Sequence, residues 1–141
     1  MANEEGNTAK VLHYKDLQIW QRGMILTKTI YRLTAAFPAH ERFGLASQMR
    51  RAAVSVPSNI AEGQARRGTK EFVQFLSLAS GSLAELETQL LLSFDLRYTQ
   101  RPDVASAGRD IGEIQKMIAA IQRKLAARMD SGGKSAAARS S

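Results

Sequence analysis

The chain has 141 residues and a formal net charge of +7, and 44% of its residues are hydrophobic. This length suits one domain with a single core, and the absence of cysteine excludes disulfide bonds and thiolate metal sites. The first residues contain no apolar run of the kind found in secretory signals, and no segment reaches the roughly 18 apolar residues needed to span a bilayer. We therefore expect a cytoplasmic protein that does not enter a membrane.

Two helices are predicted in the first half of the chain. Over residues 16–37, apolar side chains recur at helical spacing in two stripes, which indicates burial on two sides. The stripes are Leu17, Trp20, Met24, Tyr31 and Thr34, and Ile19, Leu26, Ile30, Leu33 and Phe37. The second helix covers residues 41–65 and contains Pro57, which cannot bond the carbonyl of Ala53, so we expect a kink or a break there.

Two more helices are predicted in the second half. The third follows Gly68, and its apolar stripe consists of Phe72, Leu76, Ala79, Leu83, Leu86 and Leu90. Small residues at Gly81, Ser82 and Ala84 would let another helix approach closely. The fourth begins near Pro102, a residue suited to the first helical turn, and then keeps apolar residues at heptad spacing for about three heptads.

The predicted fold is an all-α, antiparallel up-down four-helix bundle, because short connections make successive helices antiparallel neighbours. We expect the bundle at residues 14–129, with flexible tails at residues 1–13 and 130–141. The two stripes of the first helix and the small residues of the third leave more apolar surface than one bundle interior uses. This surplus favours assembly into a cyclic homo-oligomer.

Little in the sequence has the chemistry of catalysis. The two histidines, His13 and His40, lack the Glu-x-x-His partner that a di-metal site in a bundle requires. Glu85 and Glu87 are two residues apart and point to different sides of a helix, which disfavours a paired acid-base role. We expect no enzymatic activity, no metal and no cofactor.

Basic residues are concentrated in residues 41–70, where six basic and two acidic side chains give a local charge of +4. Guanidinium groups donate paired hydrogen bonds to phosphate, so this concentration predicts contact with the backbone of RNA or DNA. The candidates, from strongest to weakest, are Arg66, Arg67 and Lys70 around the predicted turn, then Arg50 and Arg51, then Arg123, Lys124 and Arg128 in the last helix.

The same segment also permits a purely structural interpretation. Residues 50–51 would then pair with Glu85 or Glu87 on the neighbouring helix, and Glu62 would anchor an arginine. The two polar residues after Pro57 would bond the carbonyls that the proline releases. In that case the segment fixes the register of the helices and the contacts between subunits.

Four stretches of the sequence resemble a known family: YKDLQIWQRG, FGLASQMR, RRAAVSVPSNIAEG and KEFVQFLSLASGSLAELETQL. They closely resemble the 23S rRNA intervening-sequence proteins, also called four-helix bundle proteins, which are related to the accessory protein of diversity-generating retroelements. The resemblance covers roughly residues 14–125. Its signature positions match Arg50, Arg51, Pro57, Ser58, Asn59, Glu62 and Gly63.

The resemblance implies a four-helix bundle that assembles into a ring, with a homopentamer expected. For the retroelement relatives it also implies a basic surface that engages nucleic acid and a reverse transcriptase. The leading interpretation is therefore a non-enzymatic oligomer that binds nucleic acid. Two alternatives stay open: an adaptor that docks a reverse transcriptase-like protein, and a structural assembly without a nucleic-acid ligand.

Overall fold

The computed structural model describes residues 13–140, with side chains placed as far as residue 131. Four helices follow one another: α1 is Gln18–Ala35, α2 is Leu45–Ala65, α3 is Thr69–Asp95 and α4 is Arg101–Ser140. Short 3-10 helices, Tyr14–Asp16 and Ala39–Glu41, precede α1 and α2. The predicted N-terminal tail lies outside the described residues except for its last position.

The four helices form a closed ring of neighbours. Helix α2 packs on α1 and α3, and α4 packs on the same two helices from the other side. The described residues contain no strand. The predicted all-α up-down four-helix bundle is thus confirmed. The α2–α3 turn lies at one end of the bundle, and the α1–α2 and α3–α4 connections lie together at the other.

The core takes one face from each helix. The second predicted stripe of α1 is buried, and Met49, Val56 and Ile60 of α2 face it, with exposures of 0%. The first stripe divides: Thr34 is buried, Leu17 and Trp20 pack against the core edge, and Tyr31 is 45% exposed. Helix α1 is therefore covered on the sides facing its neighbours but keeps an aromatic ring in solvent.

Helix α2 runs without interruption through Pro57, so the proline does not break it. The carbonyl of Ala53, which Pro57 cannot bond, accepts a hydrogen bond of 3.0 Å from the Thr27 hydroxyl of α1. The proline ring is buried, with its Cδ 3.4 Å from the Cβ position that Gly23 leaves empty. The same hydroxyl lies 2.8 Å from the Gly23 carbonyl of α1, so its one hydrogen is shared between the two acceptors, while Gly23 leaves room for the ring.

The polar residues after the proline do not bond the released carbonyl, which corrects the structural interpretation drawn from sequence. Asn59 donates from Nδ2 to the Ser55 carbonyl at 2.8 Å, and Ser58 is exposed. The reason is geometric, because a side chain on α2 lies beside the carbonyl four residues before it. In the described part of the chain, the donor that reaches the carbonyl of Ala53 is the Thr27 hydroxyl of α1.

Gly63 lets α2 and α3 approach each other closely. A Cβ atom at this position would lie 2.6 Å from Phe75 Cβ and 3.0 Å from a ring carbon of Phe72. The small residues predicted to serve helix contact on α3 behave differently. Gly81 and Ala84 are exposed, no atom lies within 4 Å of a Cβ placed at Gly81, and Ser82 bonds the Ser55 hydroxyl.

Helix α4 continues to Ser140, beyond the boundary predicted at residue 129. The packed part ends earlier, because Leu125 is the last residue that contacts the core. The prediction placed the boundary where the glycine and serine content rises. Extending an existing helix by one residue requires no new nucleus, and the segment also contains three consecutive alanines.

Candidate nucleic-acid interface

The predicted basic residues fall into two groups at different levels of the bundle. Arg50 and Arg51 lie in the second turn of α2, and Arg66 and Arg67 lie just past its end. Sixteen helical residues rise about 24 Å, so one protomer does not bring these pairs together. Residues 41–70 were predicted to act as one basic segment, but in the structure their basic residues lie in two separate groups.

Arg66 is the one member of the α2–α3 turn with an ion pair among the residues whose side chains are described. Its Nη2 lies 2.8 Å from Glu62 Oε2, and each side chain is 53% exposed. Glu62 thus contacts an arginine, as the structural interpretation expected, but the pair is exposed and is not part of a buried network. The guanidinium also lies 5.2 Å from the centre of the Phe75 ring. An exposed pair of this kind contributes at most about 1 kcal/mol to stability. Arg66 is therefore only weakly held and stays accessible.

Arg67 occupies the position that ends α2, with a φ angle of 65°. This left-handed conformation costs a non-glycine residue roughly 1–2 kcal/mol, because its Cβ crowds the backbone. Glycine is the usual residue at this place. The Arg67 side chain is exposed, and so is that of Lys70 in the first turn of α3. The carboxylate of Glu71 is on the same turn and offsets part of their charge.

The far part of α4 lies at the same end of the bundle. Leu125 shares a small cavity of about 140 Å³ with Gly63, Arg67 and Phe72. Gln122 fixes this part of α4 on α3 through bonds from Nε2 to the Val73 carbonyl and the Ser77 hydroxyl. The three predicted basic residues of α4, all exposed, are therefore near the turn: Arg123, Lys124 and Arg128.

We call this collection the basic end, defined by Arg66, Arg67, Lys70, Arg123, Lys124 and Arg128. Lys124 and Arg128 are four residues apart and share one face of α4, whereas Arg123 lies on another face. The first-ranked and third-ranked candidates from the sequence are thus brought to one end, although they do not form a single flat patch. Among residues 13–131, the Arg66–Glu62 contact is the ion pair at this end.

The second group surrounds a groove between α1 and α2. Arg50 donates from Nε to the Thr34 hydroxyl at 2.7 Å and from Nη2 to the Tyr31 carbonyl at 3.3 Å. Arg51 is exposed and bonds the Ser47 hydroxyl at 3.4 Å. In the described part of the chain neither arginine forms an ion pair with Glu85 or Glu87, so the pairing considered from sequence is wrong. Arg50 instead turns toward the hydroxyl and carbonyl groups of α1.

Tyr31 and Phe43 also line this groove, but neither was a binding candidate in the sequence analysis. Tyr31 was assigned to an apolar stripe, and Phe43 was not singled out, yet its side chain is 89% exposed. The prediction placed Phe43 inside the second helix, which in the structure begins only at Leu45, so its position in the connection was not foreseen. No signal in the sequence marks Tyr31 either, because its exposure depends on how α1 and α2 cross.

A carboxylate organises the loops at the α1–α2 end. Glu41 accepts a bond from the Leu45 N–H at 3.0 Å and another from the Tyr98 hydroxyl at 3.0 Å. These two donors, with a smaller contribution from His40, hold the pKa of Glu41 below its ordinary 4.5. The same contact raises the pKa of Tyr98 above 10.0. Glu41 thus ties the start of α2 to the α3–α4 connection.

None of the helices in the described part of the chain is both long and apolar enough to cross a membrane.

Comparison with known proteins places this bundle among relatives. A crystal structure of a protein with unknown function from the S23 ribosomal protein family of Bacteroides thetaiotaomicron has a similar fold, with a TM-score of 0.69. The two are 23% identical, and the likeness covers 74% of this chain and 95% of that one.

Among curated proteins, none matches this sequence significantly. The sequence profile of the 23S rRNA-intervening sequence proteins matches residues 15–120, which span most of the bundle. The chain belongs to the 23S rRNA-intervening sequence protein family.

Proposed function

We propose that this protein is a cytoplasmic, non-enzymatic homo-oligomer that binds RNA or DNA through backbone phosphates. The basic end carries the proposal: six exposed cationic side chains from three parts of the chain lie at one end of the bundle. Phosphate contacts of this type do not depend on base sequence and weaken as salt rises.

Charge reversal at the basic end tests the proposal. We expect the double variant Arg67→Glu, Lys70→Glu to bind labelled structured RNA more weakly than the wild type at low salt. The slope of log affinity against log salt should become shallower by about 0.7–0.9 for each phosphate that the variant no longer neutralises. Fluorescence anisotropy at several salt concentrations measures both quantities. Arg67 and Lys70 are preferred to Arg66, whose reversal would also break its pair with Glu62.

Lys116→Glu is the matched control, because Lys116 is an exposed cation in the middle of α4, away from the basic end. Its charge change is the same, per substituted residue, as that of the double variant. If the double variant keeps the affinity and salt slope of the wild type, the basic end is not the phosphate-binding surface. If Lys116→Glu lowers the log affinity by half as much as the double variant, only the overall charge matters.

The outer face of α3 supports the proposal of self-assembly. Leu78, Leu92 and Leu96 are 56%, 46% and 48% exposed, and the exposed Gly81 lies on the same face. Helical spacing aligns these residues on the side away from the core, with the exposed Glu85 between Gly81 and Leu92. Such a face favours burial against another protein surface. In a ring it would repeat the basic end several times and strengthen weak phosphate contacts through avidity.

The same leucines favour a second candidate, an adaptor that docks a protein partner. A reverse transcriptase-like enzyme is the partner that the proposed relationship to retroelement accessory proteins suggests. Apolar docking through α3 would persist at high salt, whereas phosphate binding would not. Binding that requires a protein and resists salt would therefore favour the adaptor over the nucleic-acid ligand.

A further inference from the structure

The groove between α1 and α2 has a composition that the basic end lacks. It has a volume of about 610 Å³, and eight residues line it. Three of them are arginines, two are aromatic and none is acidic: Arg42, Arg50, Arg51, Tyr31 and Phe43. A groove that combines guanidinium groups with aromatic rings, without a carboxylate, is complementary to an anionic ligand that has flat apolar faces.

The aromatic rings are accessible. Phe43 lies in the connection before α2 and is 89% exposed, and Tyr31 is 45% exposed. The Arg42 guanidinium lies 5.6 Å from the centre of the Phe43 ring, which leaves the ring's other face open within the described residues. An exposed phenyl ring in a loop does not contribute to the core. Its contact area is available for a ligand.

The arginines differ in how firmly they are held. Arg50 is fixed by Thr34 and by the Tyr31 carbonyl, and its guanidinium lies 4.6 Å from the centre of the Tyr31 ring. It therefore orients Tyr31 more than it offers donors. Arg51 has one long bond, to Ser47, and Arg42 is exposed. These two keep most of their donors for phosphate.

We infer that this groove binds unpaired nucleotides of a nucleic-acid strand, with a base stacked on Phe43 and phosphates contacted by Arg51 and Arg42. The inference rests on the proposed function in taking nucleic acid as the ligand, but it uses a different site and a different chemistry. Bases in a duplex are stacked on each other and cannot reach the ring, whereas bases in a single strand can. The groove thus selects single-stranded segments, and the basic end does not.

The test uses Phe43→Leu, which removes the ring at an exposed position and leaves the core intact. Three labelled probes are compared: a short oligothymidylate, an abasic strand of the same backbone, and a duplex of the same length. We expect Phe43→Leu to weaken binding of the oligothymidylate by about tenfold, in line with the usual effect of removing one base stack. Binding of the abasic strand and the duplex should stay unchanged.

Two further variants separate stacking from charge. Arg51→Gln should weaken both the oligothymidylate and the abasic strand, because it removes a phosphate contact. Phe94→Leu is the matched control, since the Phe94 ring also lies near a guanidinium, that of Arg101 at 5.5 Å, but outside the groove. It should bind all three probes like the wild type.

The inference is overturned if Phe43→Leu binds oligothymidylate normally or weakens binding of the abasic strand equally. Tight binding of free thymidine monophosphate would assign the groove to a mononucleotide, and tight binding of polyglutamate that needs Phe43 and Arg51 would assign it to an acidic polypeptide. Failure of the basic end as the phosphate-binding surface is distinct: the Arg67→Glu, Lys70→Glu variant would then bind every probe normally while Phe43→Leu still weakened the single strand. A wild type that binds none of the three probes would overturn the proposed function.

Discussion

At the scale of single residues, the structure separates arginines that stabilise the bundle from arginines that face solvent. Arg50 bonds a hydroxyl and a carbonyl of α1, whereas Arg66 pairs only with Glu62 near its own helix end and is 53% exposed. Arg67 and Arg97 instead occupy left-handed positions at the ends of α2 and α3, with φ angles of 65° and 68°. Glycine would be less strained than arginine at either position.

Replacing Arg67 by glycine should therefore change stability and binding in opposite directions. We expect Arg67→Gly to raise the free energy of unfolding by about 0.5–1 kcal/mol, because glycine adopts the left-handed conformation without strain. The same variant should bind RNA more weakly because the basic end then has one cation fewer. Urea denaturation and fluorescence anisotropy measure the two effects.

Arg97→Gly is the matched control for this prediction. It removes the same charge and the same strain at the α3–α4 connection, where Tyr98 N–H bonds the Ser93 carbonyl and Arg97 N–H bonds the Phe94 carbonyl. It should stabilise the fold to a similar extent and leave phosphate binding at the basic end unchanged. Equal decreases of affinity in both variants would contradict the assignment of Arg67.

Glu41 predicts a pH dependence of stability. Its pKa is lower in the folded chain than its ordinary 4.5, so its contribution is complete above that pH and is lost as pH falls through the folded-state pKa. The free energy of unfolding of the wild type should therefore fall more steeply below pH 4.5 than that of Glu41→Gln. Urea titrations across this range test the difference, with Glu87→Gln as the control for removal of one negative charge.

Tyr98 predicts the opposite dependence at high pH. Its pKa is raised above 10.0 because its hydroxyl donates to Glu41. The contribution of Tyr98 is present below pH 10.0 and is lost as pH rises through the raised value. In Glu41→Gln the loss of stability at high pH should be smaller. The pKa of Tyr98 should also be less raised in that variant, which an absorbance titration of tyrosine would detect. Identical alkaline titrations of the two proteins would mean that the bond does not form in solution.

At the scale of helices, the position of α2 depends on its close contacts with α1 and α3. On one side Thr27 and Gly23 of α1 accommodate Pro57, and on the other Gly63 meets the phenylalanines of α3. Helix α2 therefore lies between two contacts that depend on small or specific side chains. The family signature from Pro57 to Gly63 has a structural role in this chain, while Ser58 faces solvent.

Gly63→Ala should destabilise the bundle. The new methyl group would lie 2.6 Å from Phe75 Cβ, which is anchored to the α3 backbone and cannot rotate away. Overpacking of this kind costs about 1–3 kcal/mol, to be measured as a shift in the urea midpoint. Gly112→Ala is the control, because nothing lies within 4 Å of its added Cβ, and it should be neutral or stabilising by up to about 1 kcal/mol.

At the scale of the whole molecule, the two ends of the bundle and the outer face of α3 divide the proposed tasks. The basic end offers phosphate contacts, the α1–α2 groove offers aromatic rings, and α3 offers leucines for assembly. The net charge of +7 would repel identical subunits, so association requires an apolar contact strong enough to offset that repulsion.

Leu92→Lys should reduce the oligomer to smaller species without unfolding the protomer, since Leu92 is 46% exposed and lies outside the core. Sedimentation velocity reports the assembly state, and circular dichroism reports the fold. Met129→Lys, at an exposed residue late in α4, is the control and should assemble like the wild type. A monomeric wild type, or an oligomer that Leu92→Lys leaves intact, would contradict assembly through α3.

The sequence by itself determined the four helices, most of the core and the family. The helices and the core follow from local spacing, and the family follows from the matched residues. The helical spacing of the apolar residues, together with helix ends at Pro38, Gly68 and Pro102, was enough to predict an up-down bundle. The sequence also ranked the arginines of the α2–α3 turn first among the basic residues, since charged residues in a short turn are expected to be exposed.

Only the tertiary structure decided which distant residues meet. It paired Thr27 with the carbonyl of Ala53, brought α4 to the α2–α3 turn, and left Tyr31 and Phe43 open beside three arginines. These relations depend on how the helices cross and how far each extends, and a repeat along one chain does not contain that information. For the same reason the basic segment appeared continuous in the sequence, although α2 separates its two parts along its length.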